Sequence, residues 1–387
     1  MRTGGILHSV ALLAAMSSFA MSCSHVDFRN DDNGSEVQMN PAETDILFNF
    51  DWSGVSGSGN ELPVAMTVAM SRIKNTVHYV YCLDNQGNFV EQPSPSETET
   101  VGIGDYYAMA IAHGTEDYNY TIVGLDEFAS DLDVPMTAIS ASIPALTKAE
   151  ILAADLLEFN PTCPYIHSAD LLYSEVKKFS LPSLDGNDPS VSRTEDGHVM
   201  ITISPRKITR DITFRVSIRH EDDVNVERLV GVISGVPRSI SMMTGIVADS
   251  ERRATGKVNF EMAEISSEGS RHVYEGKTGV LGLFPSEDPS FITGPGILQL
   301  FIRASAMEND IRRERLLHAS LNLYELITKE NLMLPVDEYE KSGWRSTKDA
   351  TLDVGTQLKI TAEQVISGNN QGLVEWKDDN DDINVEV

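Results

Sequence analysis

From Ile46 onward, apolar and polar residues alternate along much of the chain with a period of two. Ile46, Phe48, Phe50 and Trp52 are interleaved with Leu47, Asn49 and Asp51. Val64, Met66, Val68 and Met70 repeat the pattern, as do Val77, Tyr79, Tyr81 and Leu83. It is clearest in Ile212-Thr213-Phe214-Arg215-Val216-Ser217-Ile218-Arg219. Successive side chains of a strand point to opposite faces, so this alternation predicts sheets with one face on a core and one in water. Further strands are expected near 106–113, 120–125, 199–204, 229–234, 258–262, 297–303, 316–323, 357–361 and 383–387, with turn residues such as Asn85-Gln86-Gly87-Asn88 between them. Many short strands at this spacing predict β-sandwiches.

One helix interrupts the pattern. Thr147-Lys148-Ala149-Glu150 has capping-box spacing, and Ile151, Leu152, Leu156 and Leu157 follow on one face. A single short helix over a sandwich end reads as a packing element. The stretch 311–331 reads as a strand around 316–323 followed by a short helical turn.

The chain has 387 residues; at roughly 150 residues per domain, that suggests two domains. The segment 183–197, beginning Ser183-Leu184-Asp185-Gly186-Asn187-Asp188-Pro189-Ser190, is poor in apolar residues and rich in breakers, and reads as the linker. It leaves an N-terminal sandwich over 46–182 and a C-terminal one over 198–387. A net charge of −28 argues against a nucleic-acid partner, because phosphate affinity rests on a surplus of Lys and Arg.

Residues 1–22 read as an export signal: Arg2 supplies the positive end, and the apolar run Ile6 to Ala20 is shorter than the about 20 residues a membrane span needs. The run ends in Ala20-Met21-Ser22-Cys23. This resembles the lipobox of bacterial lipoproteins, with Ala20 where Leu is usual. The resemblance implies cleavage between Ser22 and Cys23 and lipidation of Cys23, a diacylglycerol on the thiol and a further acyl chain on the amine. Several chains anchor stably where one does not. Residues 23–45, rich in Asp, Asn and Ser, then form a polar tether. Arg2 is the only charged residue of the signal, so the acidity belongs to the mature chain.

Motifs for catalysis are missing, and no catalytic residue, metal site or cofactor is expected. There is no His-Glu-x-x-His, and the nine His residues lack metal-ligand spacing. Gly54-Val55-Ser56-Gly57-Ser58-Gly59 lacks the second Gly of a nucleophile elbow and reads as a loop. Asp378-Asp379-Asn380-Asp381-Asp382 lacks the Gly and later Glu of a calcium loop and reads as a solvated turn. Cys82 and Cys163 could pair in an oxidising compartment; alternatively Cys82 is a small buried hydrophobe.

A lipobox Cys, a polar leader and two all-β domains together resemble the fimbrillin-like lipoproteins of Bacteroidetes, the subunits, anchors and tips of type V pili. Gly104-Asp105-Tyr106-Tyr107-Ala108-Met109-Ala110-Ile111-Ala112 is similar to a Gly-x-Tyr strand opening of that family. Leu229-Val230-Gly231-Val232-Ile233-Ser234-Gly235-Val236 is similar to its second-domain strand ending in a Ser-Gly turn. Ala319-Ser320-Leu321-Asn322-Leu323 and Val374-Glu375-Trp376 fall where the family has strands. The resemblance implies two tandem transthyretin-like β-sandwich domains, here with one short helix, and non-enzymatic assembly with other fimbrial subunits by strand donation at the outer-membrane surface. In the shaft subunits of that family an Arg- or Lys-specific protease removes the leader with the first strand. A neighbour's strand then fills the groove, a case of β-augmentation.

This chain departs from that pattern. Between Arg29 and Arg72 there is no Lys or Arg, so the loop after the first strand offers no basic cleavage site. Cutting at Arg72 or Lys74 would remove two strands. The expectation is therefore an anchor or accessory subunit that keeps its lipid and first strand. Ile383-Asn384-Val385-Glu386-Val387 reads as the last strand of the second domain, with a donor strand as the other reading. The alternative function is a surface glycan-binding lipoprotein, for which Trp52, Trp344 and Trp376 are a thin supply of aromatic platforms.

Overall fold

A computed structural model describes residues 46–55, 62–63, 65–73, 78–87, 104–113, 121–130, 135–154, 163–181, 190–338 and 341–367. The signal, Ser22, Cys23, the tether, Lys74, most of the 54–59 loop, Val374 to Trp376, the 378–382 acidic run and the strand expected at 383–387 lie outside the described residues. The protein is all-β, with several sheets. Contacts group it into two compact units, one drawn from 1–115, 124–139 and 173–206, the other from 116–123, 140–172 and 207–387. The chain therefore passes between the units more than once. Of the expected linker, 190–197 is described, and it carries a strand.

Strands are numbered in chain order. In the first unit, β1 (Ile46–Phe50), β2 (Ala65–Arg72), β3 (His78–Asp84), β4 (Gly104–His113), β8 (Leu172–Leu181), β9 (Val191–Arg193) and β10 (Val199–Ile203) form two sheets. One runs β11-β8-β4-β2-β3, with β11 being Arg206–Lys207; the other is β1-β10-β9. In β2 the alternating Met66, Val68 and Met70 are buried as the pattern predicts, but Ala69 is buried too, and β4 is buried continuously from Ala108 to Ala112. Both faces of these central strands are covered, and alanine on the second face lets the covering layer approach. β8 has no clean period of two in its sequence: Leu172, Tyr173, Ser174 and Phe179 are buried while Lys177 and Lys178 interrupt.

The second unit contains β5 (Thr121–Val123), β6 (Ser140–Ser142), β7 (Tyr165–Ile166) and β12 (Arg210–His220) to β22 (Ala350–Ile360), with β11 (Arg206–Lys207) where the first unit ends. The main strands are β13 (Val224–Val236), β16 (Gly256–Glu268), β17 (Arg271–Val280), β18 (Ile297–Glu308) and β19 (Ile311–Asn322), in the order β19-β18-β13-β16-β17-β12-β22. Pairing changes partner midway along β16: β13 takes residues up to Met262, and β17 takes those from Ala263. The strand thus belongs to two layers. On its first half the Phe260 ring stacks on Phe214 of β12, with centroids 4.9 Å apart and planes 15° apart. Two glycines leave room for it: a Cβ at Gly231 or at Gly276 would lie 2.6 Å from the Phe260 ring. Two small sheets complete the unit, β14 (Ser239–Ser241) with β6 and β5, and β15 (Val247–Ala248) with β21 (Lys341–Ser346) and β20 (Met333–Glu338).

Among the described residues there are five short α-helices rather than the one expected. The expected helix is Lys148–Ala153, and its capping box is formed: Thr147 Oγ1 accepts from the Glu150 amide at 3.3 Å, and the Glu150 carboxylate accepts from the Thr147 amide at 2.6 Å. Ile151 packs it onto Tyr165, Val230, Val232 and Phe301. Leu152, expected on the same face, is 63 % exposed, because a helix this short turns only one of the two adjacent residues inward. Covering by this helix is why β13 is buried on both faces from Leu229 to Val236. The Ser234-Gly235 pair is not a terminal turn, because β13 continues to Val236 through a bulge. Gly235 has φ +90°, and a Cβ there would lie 2.7 Å from the Phe284 carbonyl. Residues 311–330 divide as expected into strand β19 and the helix Tyr324–Glu330.

Candidate functional site: the first strand and its seat

β1 pairs in parallel with β10 residue for residue, from Ile46 with Val199 to Phe50 with Ile203. The Asp51 amide extends the ladder by donating to the Ile203 carbonyl at 2.8 Å. The period of two turns Ile46, Phe48 and Phe50 inward, and all three are buried, while Asn49 faces out. Phe48 sits 5.3 Å from Tyr81, and Phe50 6.3 Å from Trp52, ring centre to ring centre. An Asx turn ends the strand: the Ser53 amide donates to the Asp51 carboxylate at 3.0 Å, and this hydrogen bond holds the Asp51 pKa below its ordinary value.

Trp52 locks the strand end. Its ring is buried edge-on against Tyr173 at 5.5 Å, and its Nε1 donates to the Asn85 carbonyl at 3.0 Å. The turn after β3 closes over the strand itself. Gly87 has φ +89°, and a Cβ there would be 2.0 Å from the Phe48 carbonyl oxygen. Only glycine permits that approach and that backbone angle. The Asn85-Gln86-Gly87 signal was legible as a turn; its contact with the first strand was not, because nothing local encodes it. Tyr173 was missed for the same reason that β8 was.

Of the two basic residues at which a cut would remove two strands, Arg72 is among the described residues. Arg72 is the last residue of β2, opposite Tyr106 of β4. Its guanidinium lies over Gly104, where a Cβ would be 2.4 Å from Nε. The next amide, Ile73, donates to the Asp105 carbonyl at 2.7 Å, so the Arg72–Ile73 peptide bond is held in the sheet. Burial pushes the Tyr106 hydroxyl up to about 12 against the pull of Arg72. Proteases need an extended, accessible stretch, which a central strand does not offer until it unfolds. An Arg-specific protease applied to the folded chain is expected to leave the Arg72–Ile73 bond intact under conditions that cut it in urea; cleavage there at equal rates in both states would refute the placement.

Cys163, one half of the possible pair with Cys82, donates from its Sγ to the Thr255 carbonyl at 3.5 Å, and burial raises its pKa. Cys82 lies in β3, and its side chain is outside the described residues. Of the tryptophans weighed as sugar platforms, Trp52 is buried. Trp344 is half-buried, with Phe284 edge-on at 5.5 Å and the Arg252 guanidinium 5.1 Å from its ring centre, and its Nε1 donates to Asp249 at 2.8 Å. Trp376 is outside the described residues.

No protein-family model and no curated protein matches the chain. Among solved structures it is similar to a candidate adhesin from Bacteroides ovatus, at 12 % identity and a TM-score of 0.47, covering 86 % of this chain and 98 % of that one. It is also similar to candidate polysaccharide binding proteins from Bacteroides thetaiotaomicron, at 11 % identity and a TM-score of 0.36, over 74 % of this chain and 82 % of that one. A third likeness is to the fimbrial anchor protein Mfa2 from Porphyromonas gingivalis, at 9 % identity and a TM-score of 0.38, over 77 % of this chain and 94 % of that one.

Proposed function

We propose that this chain is a non-enzymatic fimbrial anchor or accessory subunit, lipidated at Cys23, held at the outer-membrane surface and joined to other subunits by β-strand complementation. The observation that carries the reading is the seat of β1. A strand with three buried side chains, a full parallel ladder and a tryptophan lock is built to stay. No Lys or Arg occurs between Arg29 and Arg72 to release it, and the Arg72–Ile73 bond is tied into the sheet. A subunit that keeps its leader keeps its lipid, which is what an anchor requires. Its seated first strand leaves the chain to act as a strand donor, or to offer a sheet edge, rather than as an open groove.

Mass spectrometry of the N-terminus of the protein purified from its own membranes tests this directly. A triacylated Cys23 is the expected result. A terminus at Ile73 or Asn75 would make the chain a processed polymer subunit. Cys23→Ser is expected to move the protein from the membrane to the soluble fraction, and unchanged retention would sink the lipidation.

A further inference from the structure

An open cleft of about 1260 Å³ lies in the second unit between the helix Asp249–Arg253 and the loop 285–295. The loop is pinned from both ends. Asn322 Nδ2 donates to the carbonyls of Asp288 at 3.0 Å and Phe291 at 2.8 Å. At the far end Ser234 Oγ donates to the Gly294 carbonyl at 2.5 Å and accepts from the Ile297 amide at 3.1 Å. Among the exposed residues of this fixed loop, Glu287 to Gly294, two are large and apolar: Phe291 is 47 % exposed and Ile292 36 %. Phe291 and Ile292 are adjacent, so the pinned loop holds a small apolar patch out to water.

The facing helix carries two arginines together with the carboxylate of Asp249, and Glu287 on the loop adds a second carboxylate to the lining. Arg252 and Arg253 line the cleft, and among the described residues neither has an ion-pair partner. In a chain with 58 acidic residues against 30 basic ones, other arginines find partners: Arg206, Arg215, Arg228, Arg312 and Arg313 are all ion-paired. The acids nearest the pair are occupied elsewhere. Asp249 accepts from Trp344 and Glu251 accepts from the amides of Arg238 and Ser239. Two arginines in a last helical turn also favour the helix dipole, but that effect needs no cleft and no aromatic wall.

We infer that this cleft binds an anionic saccharide, a sugar carrying a carboxylate. An aromatic face suits the C–H face of a pyranose. On the lining, Ser290 Oγ donates to Asp288 at 2.6 Å and keeps its lone pairs for a sugar hydroxyl. A guanidinium fork takes a carboxylate through two parallel hydrogen bonds. An acidic peptide is the poorer fit, because the walls are a helix and a loop with no free strand edge to pair with its backbone. The inference is independent of the anchor reading and adds a ligand to it.

The test uses the full mature chain and trigalacturonate, its methyl ester, maltotriose and a tri-glutamate peptide, read by calorimetry and by tryptophan fluorescence. Arg252 rests over Trp344, so engagement of its guanidinium is expected to change that emission. Saturable binding of trigalacturonate is expected, with the ester and maltotriose weaker by at least about tenfold. Arg252→Gln with Arg253→Gln is expected to abolish the preference for the acid, and Phe291→Ala to weaken binding of acid and ester alike; both changes are at exposed or half-exposed positions and leave the melting curve in place. Absence of saturable binding to the wild-type chain, equal affinity for maltotriose or for the peptide, or undiminished binding by the double variant would each overturn the inference.

Discussion

Phe260→Ala is expected to lower the stability of the second unit by about 3–5 kcal/mol, the range for truncating a buried aromatic side chain. The ring is the pivot of the sandwich. It stacks on Phe214, and it occupies the space that side chains at Gly231 and Gly276 would need. Removing it leaves a void bordered by two residues that have no side chain with which to fill it. Gly231→Ala makes the prediction sharper. Alone it drives a Cβ to within 2.6 Å of the Phe260 ring, with Met262 Sδ next at 3.2 Å, and is expected to destabilise by about 1–3 kcal/mol. In the Phe260→Ala background both the ring and the clash are gone, so the same change is expected to be neutral or mildly stabilising. Denaturant unfolding of the four proteins in a double-mutant cycle checks this. Additive effects would mean that the ring does not lie over Gly231.

Gly87→Ala is the second large effect, and it falls on the proposed assembly site. The added Cβ meets backbone, the Phe48 carbonyl oxygen at 2.0 Å, at a residue with φ +89°. Neither the clash nor the angle can be relieved by turning a side chain, so a loss of about 2 kcal/mol or more is expected. The loss is expected to be local. Hydrogen exchange should accelerate at the amides of β1, the emission of Trp52 should shift to the red as its ring loses Tyr173, and the second unit should keep its protection. A vacated seat should also accept a strand in trans. A peptide of the sequence Asp45 to Trp52 is expected to restore the protection of β10 when added to the variant. Unchanged exchange at β1 would show that the Asn85–Gly87 turn does not hold the strand, and failure of the peptide would count against strand complementation here.

How far the sequence reached can be seen by comparing β12 with β13. In β12 the period of two from Ile212 to Ile218 appears directly in the burial of Ile212, Phe214, Val216 and Ile218. In β13 the apolar run Leu229 to Val236 has no period, because one side of the strand meets the sandwich interior and the other meets Ile151 and Tyr165. Periodicity reports a strand only when one of its faces is wet. The capping box at Thr147 was legible because its partners are three residues apart, whereas the Asn322 clamp on the loop of Phe291 joins residues 31 apart and leaves no local trace. Within the segment read as a linker, the pairing at 191–193 left no local trace either. Val191–Arg193 is a strand only because β10 pairs with it, and β10 in turn carries β1. At the candidate site the inward residues of β1 could be read from the pattern, and the absence of basic residues could be counted. The seat itself, built from Tyr81, Gly87 and Tyr173, is tertiary throughout.

The pairing of β1 with β10 also sets an order of events. Asn49 and Thr202, which meet across this ladder, are 153 residues apart in the chain. A chain that emerges N-terminus first must therefore present Ile46 to Phe50 long before residues 199–203 arrive to receive them. Closing so long a loop is slow relative to local hairpins such as β2 with β3. During that interval the strand is without its partner, and later, for a moment, the partner is without its strand. Any other segment with the same alternation, on this molecule or a neighbour, competes for the place on equal chemical terms. On the strand-complementation reading proposed above, whether a subunit closes on itself or joins another is then settled by which strand arrives first, a race whose length is written into the connectivity.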